Sequence, residues 1–271
     1  MRRLVAVALA IALASGCATA RNYLDPAAPV YSGGVPAGRV AGQTLRVVTF
    51  NLKWGRHVDR AADLLSRPGP LSDADLVVLQ EMDQPSTDRL ARALGLGYVY
   101  VPSAFHPVPK HDFGVSILSP WPLEDARKLL LPHQSRFREM RRSAAVATLR
   151  SPFGPIRVYA VHLEMPTGAS NGVRREQARA VLADAEGWPG PVIVAGDFNG
   201  RAGARELATA GFSWPTEAVR NTMGPFDLDH IVARGLCPAG YGAAAAAVDE
   251  TDASDHDPVW AVLTSCPCPE A

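Results

Sequence analysis

Lysine is nearly missing from this 271-residue chain, in which only Lys53, Lys110 and Lys128 occur. Arginine makes up the rest of the basic count, and 27 basic residues balance 27 acidic ones. A chain with no net positive charge has no general attraction for nucleic acid or an anionic membrane. That argues against a module that holds long nucleic acid by backbone charge alone, although a local basic groove would suffice for a nuclease. No internal repeat with a period of about 20–50 residues is visible, which excludes a solenoid or propeller. The apolar stretch Leu4–Ala14 is too short to span a bilayer comfortably, which disfavours a permanent transmembrane anchor.

Cysteine is scarce as well: Cys17, Cys237, Cys266 and Cys268 are the full set. A metal site built on the last three lacks a fourth nearby ligand and the usual two-residue spacing. A disulfide of Cys237 with Cys266 or Cys268 fits better, because a bridge inside Cys-Pro-Cys would be strained.

What is present begins with the layout of an export signal. "MRRLVAVALAIALASGCATA" carries two arginines, an apolar run and then small residues. "ASGC" resembles a lipobox ending at Cys17, although Ala14 stands where leucine is preferred; cleavage after Ala20 is the alternative. The expectation is an exported protein, and a lipoprotein anchored through Cys17 rather than a free secreted one. Losing residues 1–20 removes Arg2 and Arg3 and leaves 25 basic against 27 acidic residues. Residues 21–43, rich in Pro, Gly and Ala, read as a flexible tether. Residues 44–271 read as one domain, since 47% hydrophobic content at this length supports one large core and no second composition shift occurs.

Within it, short apolar runs such as "LRVVTFNL", "FGVSILS", "RSAAVATLR" and "GPIRVYAVHL" predict strands. "HVDRAADLLS", "STDRLARALG" and "SNGVRREQARAVLADAEG" predict helices. "YVYVPSAFHPVPKHDFG" and "PTGASNGVR" read as loops where selectivity would reside. Several strand ends carry polar groups that a buried strand has no need for. Asn51 follows "VVTF", Glu81 follows "LVVLQ" and His162 follows "VYAV". "VIVAGDFNG" delivers Asp197 and Asn199, "FDLDHIVARG" delivers Asp229, and "ASDHDPVW" delivers Asp255 and His256. Singly, each has an ordinary explanation as a cap, a turn or a satisfied core histidine. Together they make a set of hard oxygen donors suited to Mg²⁺ or Mn²⁺ (Glu81, Asp197 and Asp255), with a histidine acid/base that Asp229 can hold in one tautomer.

In order and spacing these motifs, from "TFNL" through "GDFN" to "SDHDPV", resemble the endonuclease/exonuclease/phosphatase superfamily. The resemblance implies a four-layer α-β-β-α sandwich of two mostly antiparallel sheets and a divalent-metal-dependent phosphoesterase. It places Asn51, Glu81 and Asp255 on the metal side. His162, Asp197, Asn199, Asp229 and His256 become the catalytic set. His162 at its strand end is similar to the deoxyribonuclease and sphingomyelinase branch and unlike abasic-site endonucleases, which carry tyrosine there. "DFGVSILSPWPL" departs from the family pattern at Pro120, where a basic residue is common. Arg141 or Arg142 of "RFREMRR", and Arg174 of the helix "NGVRREQ", are candidates for substrate phosphate, each with a solvated surface as its ordinary reading. The substrate class is a phosphodiester in DNA, RNA, a phospholipid headgroup or a sugar phosphate, and a monomer is expected. Two other readings remain. A calcineurin-like phosphoesterase would need an Asp-x-His start and a "GNH" motif, which are missing. A catalytically inactive surface lipoprotein would use the same fold as a binding module.

Overall fold

The computed structural model describes residues 19–39, 42–136, 138–239, 245–247 and 253–266. Cys17 and Cys268 lie outside them. The strands of the first half are β1 (Arg21–Asn22), β2 (Tyr31–Gly33), β3 (Leu45–Asn51), β4 (Leu76–Met82), β5 (Gly97–His106), β6 (His111–Ser119) and β7 (Leu123–Leu130). Those of the second half are β8 (Ser143–Ser151), β9 (Gly154–His162), β10 (Val192–Asp197), β11 (Asp229–Arg234), β12 (Leu236–Pro238), β13 (Ala245–Ala247) and β14 (Val259–Ser265). Among the described residues four helices interrupt them: α1 (Val58–Ser66), α2 (Gln84–Leu94), α3 (Asn171–Ala185) and α4 (Arg201–Thr209).

One sheet runs β1-β5-β6-β4-β3-β14-β12, with β2 also on β5 and β13 also on β14. The other runs β11-β10-β9-β8-β7. Among the described residues only β3–β4 and β9–β10 are parallel pairs, and every other strand pairing is antiparallel. Alternation along the strands sorts side chains into three cores. Leu45, Val47, Leu76 and Val78 meet Ala145, Ala147, Val158 and Ile193 between the sheets. Val48, Phe50, Val77 and Leu79 pack under α1 and α2. Val192, Val194, Tyr159 and Val161 pack under α3 and α4. Three cores separate four layers, the sandwich that the motifs implied.

The helix ends follow their chemistry. Asp83 caps α2 by accepting from Ser86 N at 2.8 Å, and Gly95 ends it in the left-handed conformation. Ser170 caps α3. Cys237 pairs with Cys266, which decides between the two partners left open by the sequence.

Two expectations need correction. "YVYVPSAFHPVPKHDFG" is not a loop but the hairpin of β5 and β6, turning at Pro107–Lys110. Residues 21–39 are not a free tether. β1 and β2 both pair with β5, covering an edge that would otherwise be open. The nearly buried Lys128 ammonium donates to the carbonyls of Tyr23, Asp25 and Ala28 and fastens the segment.

Candidate active site

The polar groups predicted at strand ends converge at one edge of the sandwich. Register explains why. In β9, β10 and β11, His162, Asp197 and Asp229 occupy neighbouring positions, with Asp197 opposite both of the others. In the other sheet, Asn51 ends β3 opposite Gln80, and a bulge at Glu81 (φ 58°) re-aims that side chain at the end of β4. Gly196 must be glycine: a Cβ there would sit 1.9 Å from the Val161 carbonyl oxygen, and its φ is 150°.

Asp197 is the centre. Its Oδ1 accepts from Asn199 N at 2.7 Å. Its Oδ2 accepts from Asn51 Nδ2 at 3.1 Å, and His162 Nε2 and His256 Nε2 lie 3.4 and 4.0 Å from the same atom. Burial first, then the charge of Asp229, pushes its carboxyl up to about 7. His256 Nδ1 meets Asp229 Oδ2 at 2.8 Å. Burial disfavours the imidazolium, but Asp229, with Asp197 and Glu81 behind it, raises its pKa to about 10. His162 goes the other way: burial, then Arg142 and His256, hold it well below the ordinary histidine value. The site therefore holds one charged and one neutral imidazole at neutral pH. Asn199 donates Nδ2 to the Leu163 carbonyl at 2.9 Å and fixes the turn rather than Asp197 alone.

Glu81 makes one hydrogen bond among the described residues, accepting from Asn51 Nδ2 at 3.3 Å. Burial raises its carboxyl, and Arg142, Asn51 and His256 only partly offset that. Asp255 is half exposed and meets Lys53 Nζ at 2.8 Å. Partial burial opposes its charge, but Lys53 more than compensates and holds its pKa below the ordinary carboxylate value. A desolvated carboxylate with an uncommitted oxygen facing a cavity, near a second carboxylate, is a donor set that fits a hard divalent cation. Asp197, Asp229 and His256 form a second cluster with candidate ligand atoms within 4.8 Å of one another. There Asp229 Oδ2 and His256 Nδ1 are spent on each other, and Asp229, whose Oδ1 has no hydrogen bond among the described residues, does not line the cavity, whereas Glu81 and Asp255 do and offer hard oxygens to such a cation.

The cavity encloses about 590 Å³ and is lined by Glu81, Asp197, Asn199, Asp255, His162 and His256, with Arg142 on one wall. Arg142 is 1% exposed, lies 5.2 Å from the Phe113 ring centroid, and among the described residues its Nε and Nη1 make no hydrogen bond. Its nearest acid is Glu164, 3.6 Å from Nε. These donors of an almost sealed guanidinium are ones that an anion in the cavity would satisfy.

The other two predicted arginines are placed elsewhere. Arg141 donates Nε to the Leu131 carbonyl at 2.8 Å and does not line the cavity, because its position on the chain faces away from Arg142. Arg174 braces the loop after β9 by donating to the carbonyls of Glu164 and Ala169 and to Asn171. Gln177, two turns into the same helix face, accepts from Glu164 N and secures that loop too. Three supporting residues escaped sequence reasoning. Thr222 Oγ1 donates to Asp229 Oδ2 at 2.7 Å. Ser254 Oγ donates to the Asn51 carbonyl at 2.6 Å and accepts from His256 N, joining the two loops. Lys53 neutralises Asp255. None sits in a periodic segment; only the Ser in "SDHD" gave a signal.

The fold and site together are those of a metal-assisted phosphoric ester hydrolase. The sequence model of the Endonuclease/Exonuclease/phosphatase family matches residues 48–256, and the chain belongs to this family. No curated protein matches it by sequence. Among solved structures it is similar to an endonuclease/exonuclease/phosphatase from Beutenbergia cavernae DSM 12333, with 21% identity and TM-score 0.65 over 85% of this chain and 74% of that one. It is also similar to D. rerio TDP2 complexed with a single-strand DNA product (18% identity, TM-score 0.64, 83% of this chain and 100% of that one). A third is a mannosyl-6-phosphatase from Bacteroides thetaiotaomicron (16% identity, TM-score 0.58, 81% and 99%). At these identities the likeness is one of fold.

Proposed function

We propose that the chain hydrolyses a phosphodiester in this cavity with the help of Mg²⁺ or Mn²⁺, and that it does so outside the cytoplasm, anchored through Cys17. The observation that carries the catalytic reading is Asp197 Oδ2, on which Asn51, His162 and His256 converge. Glu81 would hold the cation, with Asn51 and Asp255 beside it. When bound, the cation polarises a phosphoryl oxygen as a Lewis acid.

The protein's own groups then have distinct tasks. Asp197, ionised above about pH 7, accepts a proton from the attacking water through Oδ2. His256 carries its proton at neutral pH, so it is a cation facing the phosphoryl oxygens rather than the base. Arg142 adds a fixed positive charge on the same anion. Neutral His162 offers Nε2–H to a phosphate oxygen, and Phe113, 5.5 Å away ring to ring, keeps the imidazole in place. Asp229 and Thr222 hold the His256 ring.

The test is turnover of a chromogenic aryl phosphodiester, plasmid DNA and RNA with Mg²⁺, with Mn²⁺ and with chelator. The expected result is metal-dependent hydrolysis that Asp197→Ala and His256→Ala abolish. Glu81→Gln should raise the Mg²⁺ concentration needed for half-maximal rate by about tenfold or more. Turnover that ignores chelator, or that survives both alanine variants, would overturn the reading.

A further inference from the structure

We propose that the mouth of the catalytic cavity is a docking face for an anionic lipid bilayer, so that the phosphoester cleaved is one carried by a lipid. This rests on the hydrolase reading above and names its substrate class. Four observations support it independently of that chemistry.

The first is the rim. Val108, Met165 and Phe226 are 42%, 44% and 55% exposed and all border the cavity. They come from three separate segments: the β5–β6 turn, the loop after β9, and the loop before β11. Large apolar side chains left in water on one patch mark a surface that meets something apolar. The second is the wall. Trp54, Phe113, Met140, Met165 and Leu228 give the cavity an apolar lining around a few charged groups. Such a lining matches a charged headgroup with attached apolar chains.

The third is charge. A groove of about 610 Å³ opens beside the cavity and shares Pro166, Asn199 and Phe226 with it. Arg175 and Arg205 line it and are exposed, while its two acids, Glu206 and Asp227, are paired with Arg179 and Arg201. Arginines flanking an apolar rim complement the phosphates of an anionic leaflet. The fourth is where the chain emerges. Arg21 stands opposite Phe105 and Asn22 opposite Ala104, so the chain read backwards heads for the β5–β6 turn that carries Val108. Ala20 is buried with Phe113, Met140 and Trp54, three side chains of the cavity wall. Cys17 is two residues before Thr19, a covalent reach of about 7 Å. A lipid on that thiol, as proposed above, would lie within that reach of Thr19 and so hold the bilayer near the cavity wall.

Among the described residues both sheets, the four helices and the three cores lie from Thr19 onward, so the chain beginning at Thr19 is the unit to test. Its co-sedimentation would be measured with vesicles of phosphatidylcholine containing phosphatidylglycerol. Its turnover would be measured on a vesicle-borne phosphodiester and on a water-soluble aryl phosphodiester. The protein should bind the vesicles. Two variants should bind less: one with Val108, Met165 and Phe226 all replaced by serine, and one combining Arg175→Glu and Arg205→Glu. In both, the ratio of vesicle-borne to soluble turnover should fall more than about tenfold. The charge-reversal variant alters only exposed side chains, so misfolding cannot mimic its effect. Three results would overturn the docking face while soluble turnover keeps the hydrolase reading: no binding by the parent chain, undiminished binding in both variants, or a dimer that the serine variant dissolves. Release from vesicles by single-stranded DNA would reassign the face to nucleic acid and overturn the proposal as well. No turnover of either diester would instead strike at the hydrolase reading.

Discussion

Asp229→Asn removes one charge and keeps the shape of the side chain, so it isolates what holds His256 protonated. Asp229 is fully buried and His256 is 5% exposed. His256 Nδ1 meets Asp229 Oδ2 at 2.8 Å, and Thr222 donates to the same oxygen. Burial works against the imidazolium, and Asp229 is the largest influence in its favour, lifting the pKa from 6.5 to about 10. That difference corresponds to about 5 kcal/mol of preference for the charged ring. With asparagine in place, burial is opposed only by Asp197 and Glu81, and the pKa should drop by about 2 pH units or more. Proton–carbon NMR of the imidazole Cε1–H, with chelator present, reads this directly. Linkage gives a second check. The folded pKa lies above the unfolded one, so this stabilisation is fully present below pH 6.5 and is lost as pH rises through about 10. The unfolding free energy of wild type should therefore exceed that of Asp229→Asn most at the acid end, and the gap should close toward pH 10. On the alkaline side the rate should fall at a lower pH in the variant than in wild type, because the ring that faces the phosphoryl oxygens loses its charge earlier. A wild-type ring that titrates near 6.5, or a variant ring that titrates where wild type does, would refute the argument.

Asp197 should set the acid limb of the pH–rate profile, with activity rising as pH passes about 7 and the carboxylate ionises. Asn51→Ala removes a hydrogen bond to the charged form and should move that limb to higher pH by about half a unit to one unit; an unmoved limb in log kcat/KM would break the link. The Cys237–Cys266 bridge spans a sequence separation of 29, and replacing both by serine should cost about 3–4 kcal/mol. Equal urea midpoints for the oxidised parent and the double variant would show that the bridge contributes nothing.

The residues of the site were legible because strands that must be buried on both faces advertise themselves. "VIVA" has no polar residue to explain, so the acid and amide that follow it stand out. The same contrast exposes Asn51, Glu81, His162 and Asp229. The supporting groups had no such background. Thr222 lies in an irregular loop and meets Asp229 through seven residues of turns. Ser254 reaches Asn51 across 203 residues of sequence. Arg141 and Arg142 are adjacent in a basic run, and nothing in composition tells which one faces the cavity; only the pleat of the chain entering β8 separates them.

The N-terminal segment failed for a related reason, and the failure is instructive about function. Proline and glycine in residues 21–43 left no period to read, and a segment without period is taken for a linker. Its structure is dictated from outside. β5 is long, and its outer strand edge would be open to pairing with any other chain. β1 covers one end of that edge at Ala104–Phe105 and β2 the other at Tyr98–Tyr100, while Lys128 ties down the chain between them by three carbonyls. Ala20 then completes an apolar cluster whose other members form the catalytic wall. Edge protection and the shape of the cavity thus depend on one short stretch. Cutting it out to obtain a supposedly freer domain should loosen Phe113 and Met140, and with them the cavity wall that carries Arg142.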